Sequence, residues 1–183
     1  KQTHLGTDGG QELIRDLMGR LAERGVAVSL REELLSVDQE RKVVVTSKRE
    51  IGYGDLVAAP GRKGFRFLQN LMDSLGIPYI DHIVDIGMRL ETKRQNYPIV
   101  EDYYDPKFIF PDKVRTFCTN SGSAYVVRER YETASGETYY SVNGHAYSKR
   151  SESNGLVNFA ILKTVTFTEP LASGQLFAEM LGR

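Results

Sequence analysis

Asp55-Leu56-Val57-Ala58-Ala59-Pro60-Gly61-Arg62 is the stretch on which the fold reading turns. Asp55 to Ala59 reads as an apolar strand that ends at a Pro-Gly turn. Phe65, Leu68, Leu71, Met72 and Leu75 then recur at helical spacing, and Gly76 and Pro78 close that helix. A strand apolar along nearly its whole length suits a parallel sheet covered by helices. In such sheets ligands bind beyond the carboxyl ends of strands, and glycine there lets a flat ligand approach the backbone. Two readings of the turn stand side by side. Gly61 and Arg62 either meet a ligand, with the arginine facing an anion, or simply connect strand to helix.

Upstream, Leu13, Ile14, Leu17, Met18, Leu21 and Ala22 define one apolar helical face over about Gly10 to Arg24. Asp8 is a good N-cap with Gln11 three residues on, and Gly25 is a natural stop. Val26 to Leu30 reads as a short strand. Leu34 to Val37, Lys42 to Thr46 and a piece near Ile51 read as a small antiparallel meander.

Downstream, Ile86, Met88 and Leu90 alternate with Asp85, Arg89 and Glu91, the period of a strand with two different faces. Lys107 to Phe110, Val114 to Cys118, Ala124 to Tyr131, Thr138 to Tyr147 and Asn158 to Phe167 read as further strands. Asn143-Gly144 is a strong hairpin-turn dipeptide, because both residues tolerate positive φ. A helix-like insertion is expected around Tyr97 to Tyr104, and Leu176, Phe177, Met180 and Leu181 suggest a final helix. The expected class is α+β, with a mainly antiparallel barrel or curved sheet making up the second half.

Composition narrows the function. The 183 residues carry 24 Lys+Arg and 24 Asp+Glu, a zero net charge that disfavours a broad nucleic-acid or acidic-membrane surface. Cys118 is the sole cysteine, which excludes an internal disulfide and suits a reducing cytoplasm. No apolar run approaches the ~20 residues of a membrane helix, and Lys1-Gln2-Thr3-His4 does not resemble a signal peptide. His4, His82, His145 and Cys118 lack the paired spacing of a zinc site, so no metal is expected. Arg115 and Cys118, three apart in one strand, are expected on opposite faces, with an inert buried thiol.

The motifs also carry a resemblance. Thr3-His4-Leu5-Gly6-Thr7-Asp8, Gly25-Val26-Ala27-Val28 and Asp55 to Arg62 look like the stretch after the nucleotide fingerprint of FAD-dependent oxidoreductases. Val84-Asp-Ile-Gly-Met-Arg-Leu-Glu91, Val114-Arg-Thr-Phe-Cys118, Val142-Asn-Gly-His-Ala-Tyr147 and Asn158-Phe-Ala-Ile-Leu162 resemble, in order, the substrate domain of FAD-dependent dehydrogenases. The glycine-rich fingerprint and the closing flavin segment are missing, so the chain resembles the middle of such an enzyme. That middle comprises a flavin-domain segment over 1–76, a substrate domain over 77–170, and a helix over 171–183 leading back to the absent part. Its first residues, without an initiator Met, fit a piece of a longer chain.

The resemblance implies FAD held by Leu34 at the adenine and by Ala59, Gly61 and Arg62 at the flavin, but bound only weakly by this piece. Pro60 departs from the family pattern and removes one backbone N–H. It further implies a small-molecule substrate, with NAD(P)H as a potential electron donor, and the remaining FAD domain as partner. His4 is the implied catalytic residue, with Thr3, Thr7, Arg115, Asn143 and His145 lining the substrate cavity. From the residues alone, Thr3 to Asp8 is a helix start whose free N–H groups suit an anion, with His4 incidental. A rival reading is a non-enzymatic α+β module that binds a ligand or protein. A third, an RNA-binding sheet, draws on ten tyrosines and is opposed by the neutral charge.

Overall fold

The computed structural model describes residues 5–81, 83–132, 136–148, 153–168, 170 and 173–183. The chain divides into two compact units. One is Leu21–Ile80; the other joins Asp81–Arg183 to the chain before Leu21.

Helix α1 spans Gly6–Glu23. Its end is closed by Gly25 at φ 71°, with Gly25 N–H donating to Ala22 O at 2.9 Å and Val26 N–H to Leu21 O at 3.0 Å. This paired glycine cap satisfies two of the last carbonyls. Asp8 lies in the first turn and does not precede the helix. Its Oδ1 accepts from Gly9 N, from Ser148 N at 3.1 Å and from Ser148 Oγ at 3.0 Å, pinning the helix start to the end of a distant strand. The apolar face is real but uncovered: Ile14 is 64% exposed and none of the helix's residues is buried.

In the Leu21–Ile80 unit, β1 (Leu34–Asp38), β2 (Val43–Thr46) and β3 (Glu50–Gly52) form the expected antiparallel meander, in that order. Helix α2 follows at Phe65–Ser74, with Leu71 buried, and Gly76 caps it as Gly25 caps α1. Two expected strands do not form. Val26–Leu30 and Asp55–Ala59 lie outside every sheet, and Val57 is 88% exposed. A strand exists only where a neighbour pairs its N–H and C=O groups, and the described meander supplies none to either segment. All described pairings are antiparallel, so the parallel sheet inferred from Asp55–Ala59 is not present.

The other unit holds β4 (Ile83–Lys93), β5 (Ile109–Phe110), β6 (Val114–Asn120), β7 (Ser123–Glu132), β8 (Thr138–Tyr147), β9 (Leu156–Thr166) and α3 (Gly174–Gly182). One sheet runs β4-β9-β6-β5, and β7 and β8 form a separate hairpin ladder. The expected antiparallel character holds, but the sheets do not close into a barrel. On one face of β9, Val157 and Phe159 pack with Val100, and Tyr97 stacks on Phe159 with ring centroids 4.6 Å apart. The 3-10 turns at Arg94–Asn96 and Pro98–Glu101 carry that cover, as the expected insertion required.

Asn143-Gly144 is not a turn. Asn143 pairs with Val127 and Gly144 with Val126 in mid-ladder. The glycine is needed for a different reason: a Cβ at residue 144 would fall onto Asn120 Nδ2, Arg89 Nη1 and Asn158 Oδ1. β6 bends where its register to β9 slips between Phe117 and Asn120, with Cys118 at φ 50°. That bulge breaks the strict alternation used to separate Arg115 from Cys118.

Candidate functional site

The Leu21–Ile80 unit contains a cleft of about 750 Å³ lined by Ser29, Glu32, Leu34, Ala59, Pro60 and Phe67, among others. Leu34 enters from the start of β1, and Ala59 and Pro60 from the irregular segment before α2. Glu32 and Glu33 are the charged residues of the cleft lining, and Glu32 is held by side-chain hydrogen bonds. Its carboxylate accepts Arg49 Nε at 3.0 Å and Nη2 at 3.2 Å, and Thr46 Oγ1 at 2.7 Å. The Arg49 hydrogen bond, then Thr46, brings the carboxyl down to about 2, so Glu32 stays ionised. Pro60 presents a flat apolar face and no N–H donor. Gly61, at φ 66°, and Arg62 begin the 3-10 turn Arg62–Gly64 that leads into α2. The cleft therefore joins two of the sequence-nominated cofactor residues, Leu34 and Ala59, through mostly apolar walls.

The second unit contains a smaller cleft of about 280 Å³. Gly6 and Thr7 of α1, Tyr104, Asn120 at the end of β6, and Gly144 and Ala146 of β8 line it. Burial first, then the charges of Asp105, Asp8 and Cys118, push the Tyr104 phenol up, which keeps it protonated. Behind Asn120 and Gly144 lies a buried polar cluster. Arg89 Nη1 donates to Asn158 Oδ1 at 2.8 Å and to Cys118 O at 3.1 Å. Asn120 Nδ2 donates to Cys118 O at 3.0 Å and to Asn158 Oδ1 at 3.2 Å. Asn158 is fully buried. Arg89 is thus half-buried against this cluster, while Asp85 and Glu91 on the same face of β4 stay exposed.

The remaining nominated residues are dispersed. Thr3 and His4 lie outside the described residues, as does His82. Thr7 reaches the smaller cleft. Arg115 is committed elsewhere: Nη2 donates to Asp85 Oδ2 at 2.7 Å and Nη1 to Thr164 Oγ1 at 3.0 Å, tying three neighbouring strands together. The Arg115 hydrogen bond, then the one Thr164 Oγ1 donates to Asp85 Oδ1 at 2.6 Å, holds the Asp85 carboxyl below its ordinary value. Asn143 Nδ2 donates to Glu129 Oε1 at 3.3 Å. Asn143 and His145 are each one residue from Gly144 in β8, so their side chains take the strand face opposite the one at which Gly144 meets Asn120. Of the cluster behind the smaller cleft, Asn120 lay in no motif, and Arg89 and Asn158 lay in two separate ones that gave neither a role; nothing in the sequence joined the three.

Compared with known proteins, the chain matches no family model, no curated protein and no solved structure.

Proposed function

We propose that the chain is the central part of an FAD-dependent oxidoreductase. In this reading Leu21–Ile80 supplies part of the flavin site and the Asp81–Arg183 unit is the substrate domain. The observation that carries the reading is the larger cleft, which is lined by both Leu34 and Ala59, two residues the resemblance assigns to the adenine and flavin ends of the cofactor. A second supports it. Val26–Leu30 and Asp55–Ala59 have strand-forming, apolar sequences yet pair with nothing among the described residues, and Leu30 and Val57 are 74% and 88% exposed. A parallel sheet donated by further polypeptide would cover both, as apolar central strands require.

The residues fit one side of such a cofactor. Leu34 would meet the adenine, and Ala59 and Gly61 would let the flavin ring approach the backbone. No Gly-x-Gly-x-x-Gly sequence opens a helix among the described residues, so the pyrophosphate would be held elsewhere. When bound, the flavin supplies the redox chemistry; the chain's own residues bind, orient and exclude water. The test is expression of the longer parent chain. It should purify with one FAD per chain, and a folded parent that is colourless and takes up no FAD overturns the reading.

A further inference from the structure

The sheet β4-β9-β6-β5 ends in two unlike edges. β5 is two residues long and runs into Pro111, which has no N–H to offer a further strand. Short edge strands and prolines are common guards against another strand adding there. β4 carries neither. Its eleven residues pair with β9 from Ile83 to Lys93 without a bulge, and no described strand pairs with its other side. Helix α3 meets β4 at Ile83 and Val84, where Gly174 packs. Further along, Met88 is 64% exposed, Leu90 is 38% exposed and Glu91 is exposed as well. An edge of this length and regularity is a template for strand addition.

The sequence of this edge is complementary to itself. Set antiparallel against a second copy, Met88-Arg89-Leu90-Glu91-Thr92 brings Leu90 opposite Leu90, Arg89 opposite Glu91 and Met88 opposite Thr92. Alternation places the Leu90 pair and its Met88 and Thr92 neighbours on one face and the charges on the other. A centre one residue earlier sets Arg89 against Arg89, and one residue later sets Glu91 against Glu91; like charges directly opposite are unfavourable. The same two charges lack an opposite charge within the chain. Arg89 donates to Cys118 O and Asn158 Oδ1, both neutral, and Glu91 has no partner among the described residues. Asp85, nearer the start of the strand, is instead held by Arg115.

We propose that two copies of this chain associate through β4, antiparallel about Leu90, so that their sheets become continuous. Arg89 of each copy then stands opposite Glu91 of the other, and the two Leu90 side chains meet on the two-fold axis. Such a contact uses the same patch on both copies, so it closes at a dimer. The inference goes beyond the flavin reading and needs no flavin, so either can fail while the other stands.

The experiment is sedimentation equilibrium of the chain over a concentration series, which should show a monomer–dimer equilibrium. Glu91→Lys, at an exposed position, should leave the melting curve nearly unchanged and weaken the dimer about tenfold or more, because two like-charged pairs replace two opposite ones. Leu90→Cys should give a disulfide-linked dimer on mild oxidation. Met88→Cys, which faces Thr92 of the other copy, should not, and the unmodified chain controls for Cys118 in both. If Glu91→Lys does not fold, the two cysteine variants decide. A chain that stays monomeric throughout, a dimer that a folded Glu91→Lys leaves equally tight, or cross-linking at position 88 as ready as at position 90 overturns the proposal.

Discussion

Arg49 Nε donates to the Glu32 carboxylate at 3.0 Å, and Thr46 Oγ1 donates to the same carboxylate at 2.7 Å, so the wall of the larger cleft carries a fixed negative charge. Because the folded carboxyl titrates at about 2 against an ordinary 4.5, its contribution to stability is complete above about pH 4.5. It fades as the pH falls from there towards about 2. Following the amide signals of β1 and β2 by NMR during acid titration should show these strands loosening in that window. Glu32→Gln should remove that step while leaving the acid response of Asp85 in the other unit. A Glu32→Gln protein with an unchanged acid profile at β1 and β2 contradicts the assignment.

The close approach of Gly144 to the Arg89 cluster predicts a large contrast between two glycine replacements. Gly144→Ala forces a Cβ onto three polar atoms and should cost about 1–3 kcal/mol in denaturant unfolding. Gly19→Ala, in the interior of α1 with open space around it, should instead gain about 0.5–1 kcal/mol. Equal effects at the two positions would mean that β8 does not pack against the cluster.

How much of this was readable beforehand depends on whether the deciding contacts are local. The α1 and α2 stripes, their glycine caps, the meander and the strands from Ile83 onward follow from spacing and punctuation within a few residues. Asn143-Gly144 misled because the same dipeptide serves two needs, positive φ in a turn and a missing Cβ in a crowded strand, and only long-range packing separates them. Val26–Leu30 and Asp55–Ala59 misled differently. Their sequences favour strands, but pairing requires a neighbour that local sequence does not specify. The Arg89–Asn120–Asn158 cluster assembles residues from three strands, and the bulge at Cys118 that helps form it left no periodic signal.

Val57 gives a direct check of the missing-neighbour account. At 88% exposure, Val57→Lys should change the stability of this chain by no more than about 0.5 kcal/mol. In the longer parent the same residue would sit in a covered parallel strand, where a lysine should destabilise by several kcal/mol. Thermal melts of the two pairs of proteins measure the difference. Equal tolerance in both would show that no sheet forms over this segment.

Hydrogen–deuterium exchange across residues 55–62 of the parent chain, with FAD removed and with FAD restored, tests the central claim most directly. The account predicts that Leu56 to Ala59 exchange slowly in the parent and that Gly61 and Arg62 become protected when FAD is restored. Bound FAD with exchange across this segment unchanged would contradict it.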